Sequence, residues 1–550
     1  MSRYYDDRVQ VEAPPRPDYD RMWSEIEREA SRRRSALLQL NPSPGARRKW
    51  IPAAVVFACF MAAAVPVFAG VTLNWDSLYG GRSVTSALNN GVGQRYDMDA
   101  TSKGVTMSLK GVVTDGEKMK LLVSFDAGSA TKPDPDEFME LERMVIKDGT
   151  GAEESVNGYL KYDESSGKLL GIYEAKDLLQ SSKKKLTLEA GGLVSYKTVD
   201  KPLSKVPEAG EALSTGEAQY PEIRIKSVTE SKDSLSVRYI VTPRDPSDQG
   251  HGGPHLTIRA GSGSSRGKVT QHPSDNDGIV MEQIFSHMNL QEWRASELHF
   301  NYMKESQRTE GTWSFQFKAD GRKASEAIYS QPLQTNAEFE QKSGVKLDTL
   351  TVTPLEIIIG IKDERAMKDR SPQGDVIYRD VRLRVGEQEI TGSYTIKGDD
   401  PENYKHVFAF ESPEWYKDWS KVPMKLILKE ASVVKRDTAK NWMTLNRPEP
   451  EKKFIDMRLE SFTVHFTYYM DGKDLMIESE SDDASFKGIS QSTLRVDGKT
   501  LFPEMSPRGP EAQSKNIERY PDFKMKDAVE LNPGFYSYRD PSRSLEFMLR

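Results

Sequence analysis

Cysteine is nearly absent from this 550-residue chain: the single one, Cys59, lies inside an apolar run. That count excludes a disulfide framework and a cysteine-based metal site. An excess of basic charge is missing too. Lysine and arginine number 77 against 83 acidic residues, and the net charge is −6. Outside the N-terminus the two signs are interleaved, which leaves no electropositive surface for direct nucleic-acid binding.

Catalytic signatures are also lacking. Gly263-Ser264-Ser265-Arg266-Gly267 has the G-x-S-x-G form of a nucleophile elbow, but the chain continues as Lys268-Val269-Thr270-Gln271-His272-Pro273 in a Gly/Ser-rich stretch. An elbow needs a helix at that point. His251 and His255 enclose Gly-Gly-Pro, so they cannot share a helical face, and no third ligand is in view. The acidic pairs Asp399-Asp400 and Asp482-Asp483 lack the spacing of an EF-hand. The expectation is a chain that is not an enzyme and holds no metal or cofactor.

Long apolar runs are absent except for one. Trp50–Val71, WIPAAVVFACFMAAAVPVFAGV, carries no charge, and at 1.5 Å per residue it reaches roughly 32 Å, enough to span a bilayer. Arg47, Arg48 and Lys49 precede it and the first charge beyond it is Asp76, which places the N-terminus in the cytoplasm and the remainder outside the cell. Trp50, Trp75 and Tyr79 suit the two interfaces. Pro66 kinks or ends the helix. The competing reading is a cleaved signal peptide ending at Val67-Phe68-Ala69; a leader of 49 residues and so long an apolar run favour an uncleaved anchor.

Residues 1–17 are polar and contain Pro14, Pro15 and Pro17. From Asp18, an available N-cap, Tyr19, Met22, Trp23, Ile26 and Ala30 fall on one face of a helix reaching about Leu40. An isolated helix of this length is marginal in water, so its stripe requires a cover. Segment 1–49 offers none, which leaves a partner molecule or the lipid surface. Trp23 with Met22 and Ile26 fits a protein-binding anchor, whereas Arg32-Arg33-Arg34 with Leu37, Leu38 and Leu40 fits anionic lipid.

Beyond the anchor an apolar spacing φ-x-φ-x-x-φ recurs four times. It begins at Met107, Ile223, Val345 and Met457, at separations of 116, 122 and 112 residues. Each copy is followed by a strand of period-two alternation, as in Met119/Leu121/Val123/Phe125 and Leu355/Ile357/Ile359/Ile361. Asp115-Gly116 and Asp471-Gly472 supply turns. Further alternating runs include Trp313-Ser314-Phe315-Gln316-Phe317 and Met424-Lys425-Leu426-Ile427-Leu428. Lys110, Lys226 and Lys346 alternate with apolar positions, so each strand is expected to have one wet and one core face. The spacing predicts a mostly β chain of four tandem immunoglobulin-like sandwiches at 72–205, 206–335, 336–450 and 451–550, preceded by the cytoplasmic segment 1–49 and the transmembrane helix 50–71.

The stretch Ala87-Leu88-Asn89-Asn90-Gly91-Val92-Gly93-Gln94, followed by Ser102 to Asp115, resembles the start of an extracellular domain of unknown function. That domain occurs in membrane-anchored anti-sigma-factor-like proteins of spore-forming Gram-positive bacteria. Ser343 to Pro354 is similar to a companion domain, and the layout agrees: a short inner helix with Asp20-x-x-Trp23-x-x-Ile26, a basic stop, an anchor, then outer modules. The resemblance implies that residues 18–40 hold an extracytoplasmic-function sigma factor at the membrane. The zinc-binding His/Cys cluster of many anti-sigma domains has no counterpart in 1–49, so inhibition would rest on helix packing. The reading is a single-pass regulator of envelope signalling whose outer modules sense or bind an envelope component such as the cell wall. The alternative is a structural or adhesive protein anchored in the membrane.

Overall fold

The computed structural model describes residues 73–550, apart from 127–133, 135–136, 180–181, 232–233, 246–252, 261–262, 273–277, 363–373, 399–403, 414–415, 417, 437–440, 505–515 and 525–527. The expected anchor at 50–71, the helix carrying Tyr19, Met22, Trp23 and Ile26, and the basic stop Arg47, Arg48 and Lys49 lie outside the described residues. Among the described residues no helix is long and apolar enough to cross a membrane. Strands take 63% of the structure and helices 9%, so the chain is mostly β and consistent with the β-sandwich class.

The sandwiches are nested in pairs. The first has one sheet in the order Gln94–Ser102, Val105–Thr114, Lys118–Asp126, Lys168–Lys176, Asn157–Asp163. Its facing sheet contains Glu137–Asp148 and a long ribbon made of Lys183–Pro202 and Glu297–Asp320. That ribbon is paired from His299↔Pro202 to Asp320↔Lys183 and serves two cores. At one end Leu186, Leu188, Trp313, Phe315 and Phe317 pack against Met107, Leu121 and Phe125. At the other, Leu298, Phe300 and Tyr302 pack against Ile223, Tyr239, Phe285 and Trp293 of the second sandwich. The second sandwich is therefore inserted before the last strand of the first.

The third and fourth sandwiches repeat this nesting. Strand Met424–Arg436 pairs at its start with the C-terminal strand Leu545–Met548 and at its end with Phe535–Arg539. Leu545 and Leu549 join Leu347, Ile357, Val381 and Leu426 in the third core, while Tyr536 joins Met457, Phe466 and Ile477 in the fourth. Here the returning chain breaks into two strands at the 3-10 turn Pro541–Arg543, since Pro541 has no N–H for a ladder. The sequence boundaries at 205, 335 and 450 follow chain order, whereas the cores are assembled from strands on both sides of them.

The recurring φ-x-φ-x-x-φ spacing has two structural meanings. In the first three sandwiches the irregular step is an extra residue in one strand. Leu109 pairs with Val123 and Gly111 with Leu122, leaving Lys110 unmatched. Lys226 is unmatched in the same way, and Asp348 and Thr349 together face only Gly360. A bulge resets which parity faces the core, so Met107, Leu109 and Val112 are all buried. In the fourth sandwich the same spacing is a hairpin turn: Leu459 pairs directly with Phe462, with Glu460 at φ 52°.

The expectation of one wet face per strand holds in part. In the first sandwich Val113, Leu122, Leu170 and Ile172 lie on the face opposite the core, yet they are buried. The doublets Leu121-Leu122 and Leu169-Leu170 mark this break in alternation. What covers them is the segment that follows the expected anchor.

Candidate functional site

Residues 75–89 form a short 3-10 turn, Trp75–Ser77, and a nine-residue helix, Gly81–Asn89. The link between them is tight. Gly80 has φ 79°, and a Cβ on Gly81 would lie 1.8 Å from the Trp75 carbonyl oxygen, so only glycine fits at 81. Val84, Ala87 and Leu88 occupy i, i+3 and i+4 and pack with Trp75 and Leu78 onto Val113, Leu122, Leu170 and Ile172. One further residue completes this cluster: Leu355, fully buried, from the third sandwich. Leu355 sits at the tip between strands Lys346–Val352 and Glu356–Lys362. Its alternation with Ile357 and Ile359 places it with the third core in the sequence reading, but at the tip it leaves that core and enters the helix cluster.

Charge reinforces the same junction. The first N–H groups of a helix have no intrahelical acceptor and carry the positive end of its dipole. Here the Glu411 carboxylate of the third sandwich accepts from Gly80 N at 3.2 Å and from Ser83 N at 3.4 Å. Beside it, Glu356 is paired with Lys118 of the first sandwich and with Lys397, whose Nζ lies 2.6 Å from Oε2. Lys397 also reaches Glu117 at 3.2 Å. Burial by itself would raise the Glu356 carboxyl, but the Lys118 and Lys397 ammoniums outweigh it and hold that carboxyl below its ordinary value.

Lys120 is the exception in this network. The residue is only 8% exposed, and its amine lies under Gly80, where an added Cβ would be 2.7 Å from Nζ. Burial, with the Lys118 charge, pushes its pKa down against the attraction of Glu174, Glu411 and Glu356. The junction thus joins the leading helix, the first sandwich and the third through one apolar cluster and one charge network. A second contact joins the other two sandwiches: Arg238 of the second donates to the Glu504 carboxylate of the fourth through two bonds of 3.0 Å. Glu504 also lies 3.4 Å from Arg519, which pairs with Asp474.

The residues singled out in the sequence as partner-binding or topological, Tyr19, Met22, Trp23, Ile26, Arg47, Arg48 and Lys49, lie outside the described residues; Trp75, expected at a membrane interface, is instead buried in this junction. The junction residues Gly81, Lys118, Leu355, Glu356, Lys397 and Glu411 belong to no motif. The signal that could have found the junction is the leucine doublets Leu121-Leu122 and Leu169-Leu170, which break the alternation and which the expectation of one wet face left unused. The discarded elbow is a short edge strand, Gly263–Ser265, paired with His255–Ala260 and followed by another strand, Lys268–Gln271. Among the described residues no group of three or more His, Cys, Asp or Glu side chains could hold a metal ion.

No family model matches the chain, and no curated protein matches it. Among solved structures, the crystal structure of the conserved domain protein from Bacillus anthracis is similar at 11% identity, over 68% of this chain and 85% of that one, with a TM-score of 0.27. A likeness at that score carries no argument about fold or function.

Proposed function

We propose that this chain is a single-pass membrane regulator of envelope signalling, anti-sigma-factor-like. In this reading its N-terminus is cytoplasmic, its anchor is Trp50–Val71, and its outer modules are immunoglobulin-like sandwiches that bind or sense an envelope component. The observation that supports it is the docking of helix Gly81–Asn89, the first α-helix after the expected anchor among the described residues, onto the first sandwich through Val113, Leu122, Leu170 and Ile172 and onto the third through Leu355 and Glu411. A rearrangement between the first and third sandwiches would change what holds that helix, which follows the expected anchor in the chain after the turn Trp75–Ser77. A static adhesin has no need of such a link. The nested strands, which stiffen each pair of sandwiches, favour the structural alternative.

The inner stripe Tyr19, Met22, Trp23 and Ile26 is the assigned contact for an extracytoplasmic-function sigma factor. A peptide of residues 1–49 is expected to bind that partner, and Trp23→Ala to weaken binding by about 2 kcal/mol or more, as buried aromatic anchors do. Neutralising Arg32, Arg33 and Arg34 is expected to matter less. If vesicle binding is lost with the arginines, at about 1 kcal/mol each, and no sigma factor is captured by the full-length chain, the regulator reading fails and an anchored envelope module remains.

A further inference from the structure

A strand at the edge of a sheet leaves one row of N–H and C=O groups without partners, and proteins cover or blunt such rows because they pair readily with another chain. Gln94–Ser102, nine residues at the edge of its sheet, is covered by the long ribbon: Tyr96 donates to the Lys318 carbonyl at 2.7 Å and Gln94 to that of Asp320 at 2.9 Å. Asn157–Asp163, at the other edge of that sheet, lies against the leading segment. There the Tyr159 hydroxyl accepts from Tyr79 N at 2.6 Å, and Lys161 donates to the Ser77 carbonyl at 3.2 Å. Lys453–Leu459, seven residues at an edge of the fourth sandwich, has no strand along its outer side among the described residues, and it carries Phe454 at 75% exposure.

The hairpin fixes which backbone groups of this strand are free. Its turn, Glu460-Ser461, has two residues, so Leu459 and Phe462 exchange both backbone bonds. The alternation of an antiparallel ladder then turns Leu459, Met457 and Ile455 toward Phe462–Asp471, and Arg458, Asp456 and Phe454 outward. Asp456 and Arg458 keep capacity for a second contact. Asp456 accepts from His465 Nδ1 at 2.8 Å through Oδ1, and its side chain is 66% exposed. Arg458 donates from Nε to the Glu460 carbonyl at 3.3 Å, which leaves its two terminal nitrogens. We infer that this edge pairs antiparallel with the same edge of a second copy of the chain, Asp456 opposite the partner's Arg458 and Arg458 opposite the partner's Asp456. Charge selects the register: a shift of two residues one way sets Asp456 opposite itself, the other way Arg458 opposite itself, and like charges directly opposite repel. In the chosen register Met457 meets the partner's Met457 and the half-buried Ile455 meets the partner's Leu459, so apolar residues share the inner face and opposite charges the outer one. Phe454 lies across from the partner's Glu460. The contact is isologous and closes at two copies. A single shared edge is small beside the roughly 1,200–2,000 Å² of a stable interface, so the dimer is reversible.

The experiment is sedimentation velocity of the full-length chain in detergent across a range of concentrations, alongside hydrogen exchange of residues 453–459. Expected results are a concentration-dependent equilibrium between monomer and dimer, and slower exchange of the Asp456 and Arg458 amides in the dimer. Asp456→Arg sets arginine against arginine and Arg458→Asp sets aspartate against aspartate, so each should weaken the dimer about tenfold or more. The double variant Asp456→Arg/Arg458→Asp should restore it, because both pairs re-form with their signs exchanged. Both positions are exposed, and a thermal melt of each variant checks that it folds; Asp456→Asn and Arg458→Gln, which only remove charge, serve where a reversal disturbs folding, with a smaller weakening expected. A monomer at every concentration, a dimer indifferent to the single changes, or a double variant no better than the singles overturns the inference. Sigma-factor capture is read separately, so this contact and the regulator reading stand or fall independently.

Discussion

Glu356 is the residue on which the junction's electrostatics turn, since it receives one ammonium from each of two sandwiches. Its depressed carboxyl contributes stability that is fully present above its unfolded-state value of about 4.3 and is lost as pH falls through the lower folded value. Lys118 and Lys397 are shifted the other way. Burial lowers each, but Glu356 more than offsets it and leaves both raised. Their share is full below about pH 10.4 and lost as pH rises through their folded values. The junction is therefore expected to hold from about pH 5 to about pH 10 and to loosen in acid. Hydrogen exchange of helix 81–89, corrected for intrinsic rate, should be protected at neutral pH and lose protection below about pH 4. Glu356→Gln should cost about 2 kcal/mol of that protection at pH 7 and flatten its acid dependence, because hydrogen bonds to charged groups contribute on this scale. Unchanged protection in that variant would remove Glu356 from the coupling.

At the scale of elements, the bulge explains a repeat that sequence alone displays without interpreting. Lys110 is the extra residue of its strand; its side chain points outward to Asp97 at 2.7 Å, an exposed pair whose contribution is small. Lys110→Ala is expected to change stability by less than about 1 kcal/mol in urea unfolding. Deleting Lys110 is a different matter. A one-residue slip turns every side chain beyond it to the other face, so Met107 and Leu109 or Val112 would leave the core. Deletion should abolish cooperative unfolding of the first sandwich while the fourth, whose equivalent spacing is a turn, stays folded. Tolerance of the deletion would mean that the strand re-registers and that the bulge is not what fixes the repeat.

At the scale of the whole molecule, the nesting predicts an effect at a distance in sequence. Removing residues 545–550 takes away Leu545 and Leu549, which belong to the third core and not to the adjacent fourth. Two buried leucines at about 2–5 kcal/mol each are a large share of a stability of about 5–15 kcal/mol. Hydrogen exchange should therefore rise in strands Lys346–Val352, Glu356–Lys362 and Asp375–Val385, with the fourth core much less affected. Exchange rising only in the fourth sandwich would contradict the nesting. What the sequence determined by itself was local: alternation placed Met119, Leu121, Val123, Phe125, Trp313 and Phe315 in cores, because one side of a strand packed on another sheet must be apolar whatever the partner. The doublet Leu121-Leu122 interrupts that alternation, but the expectation of one wet face per strand passed over it. What only the tertiary structure decided was who covers whom. Glu297–Asp320 serves two cores, the chain's last strand completes a sandwich begun two hundred residues earlier, and Leu355 leaves its own sandwich for the helix. A pattern of apolar residues specifies that a surface is buried, but any apolar surface of matching shape will do, and the choice is made only by the packing of the whole.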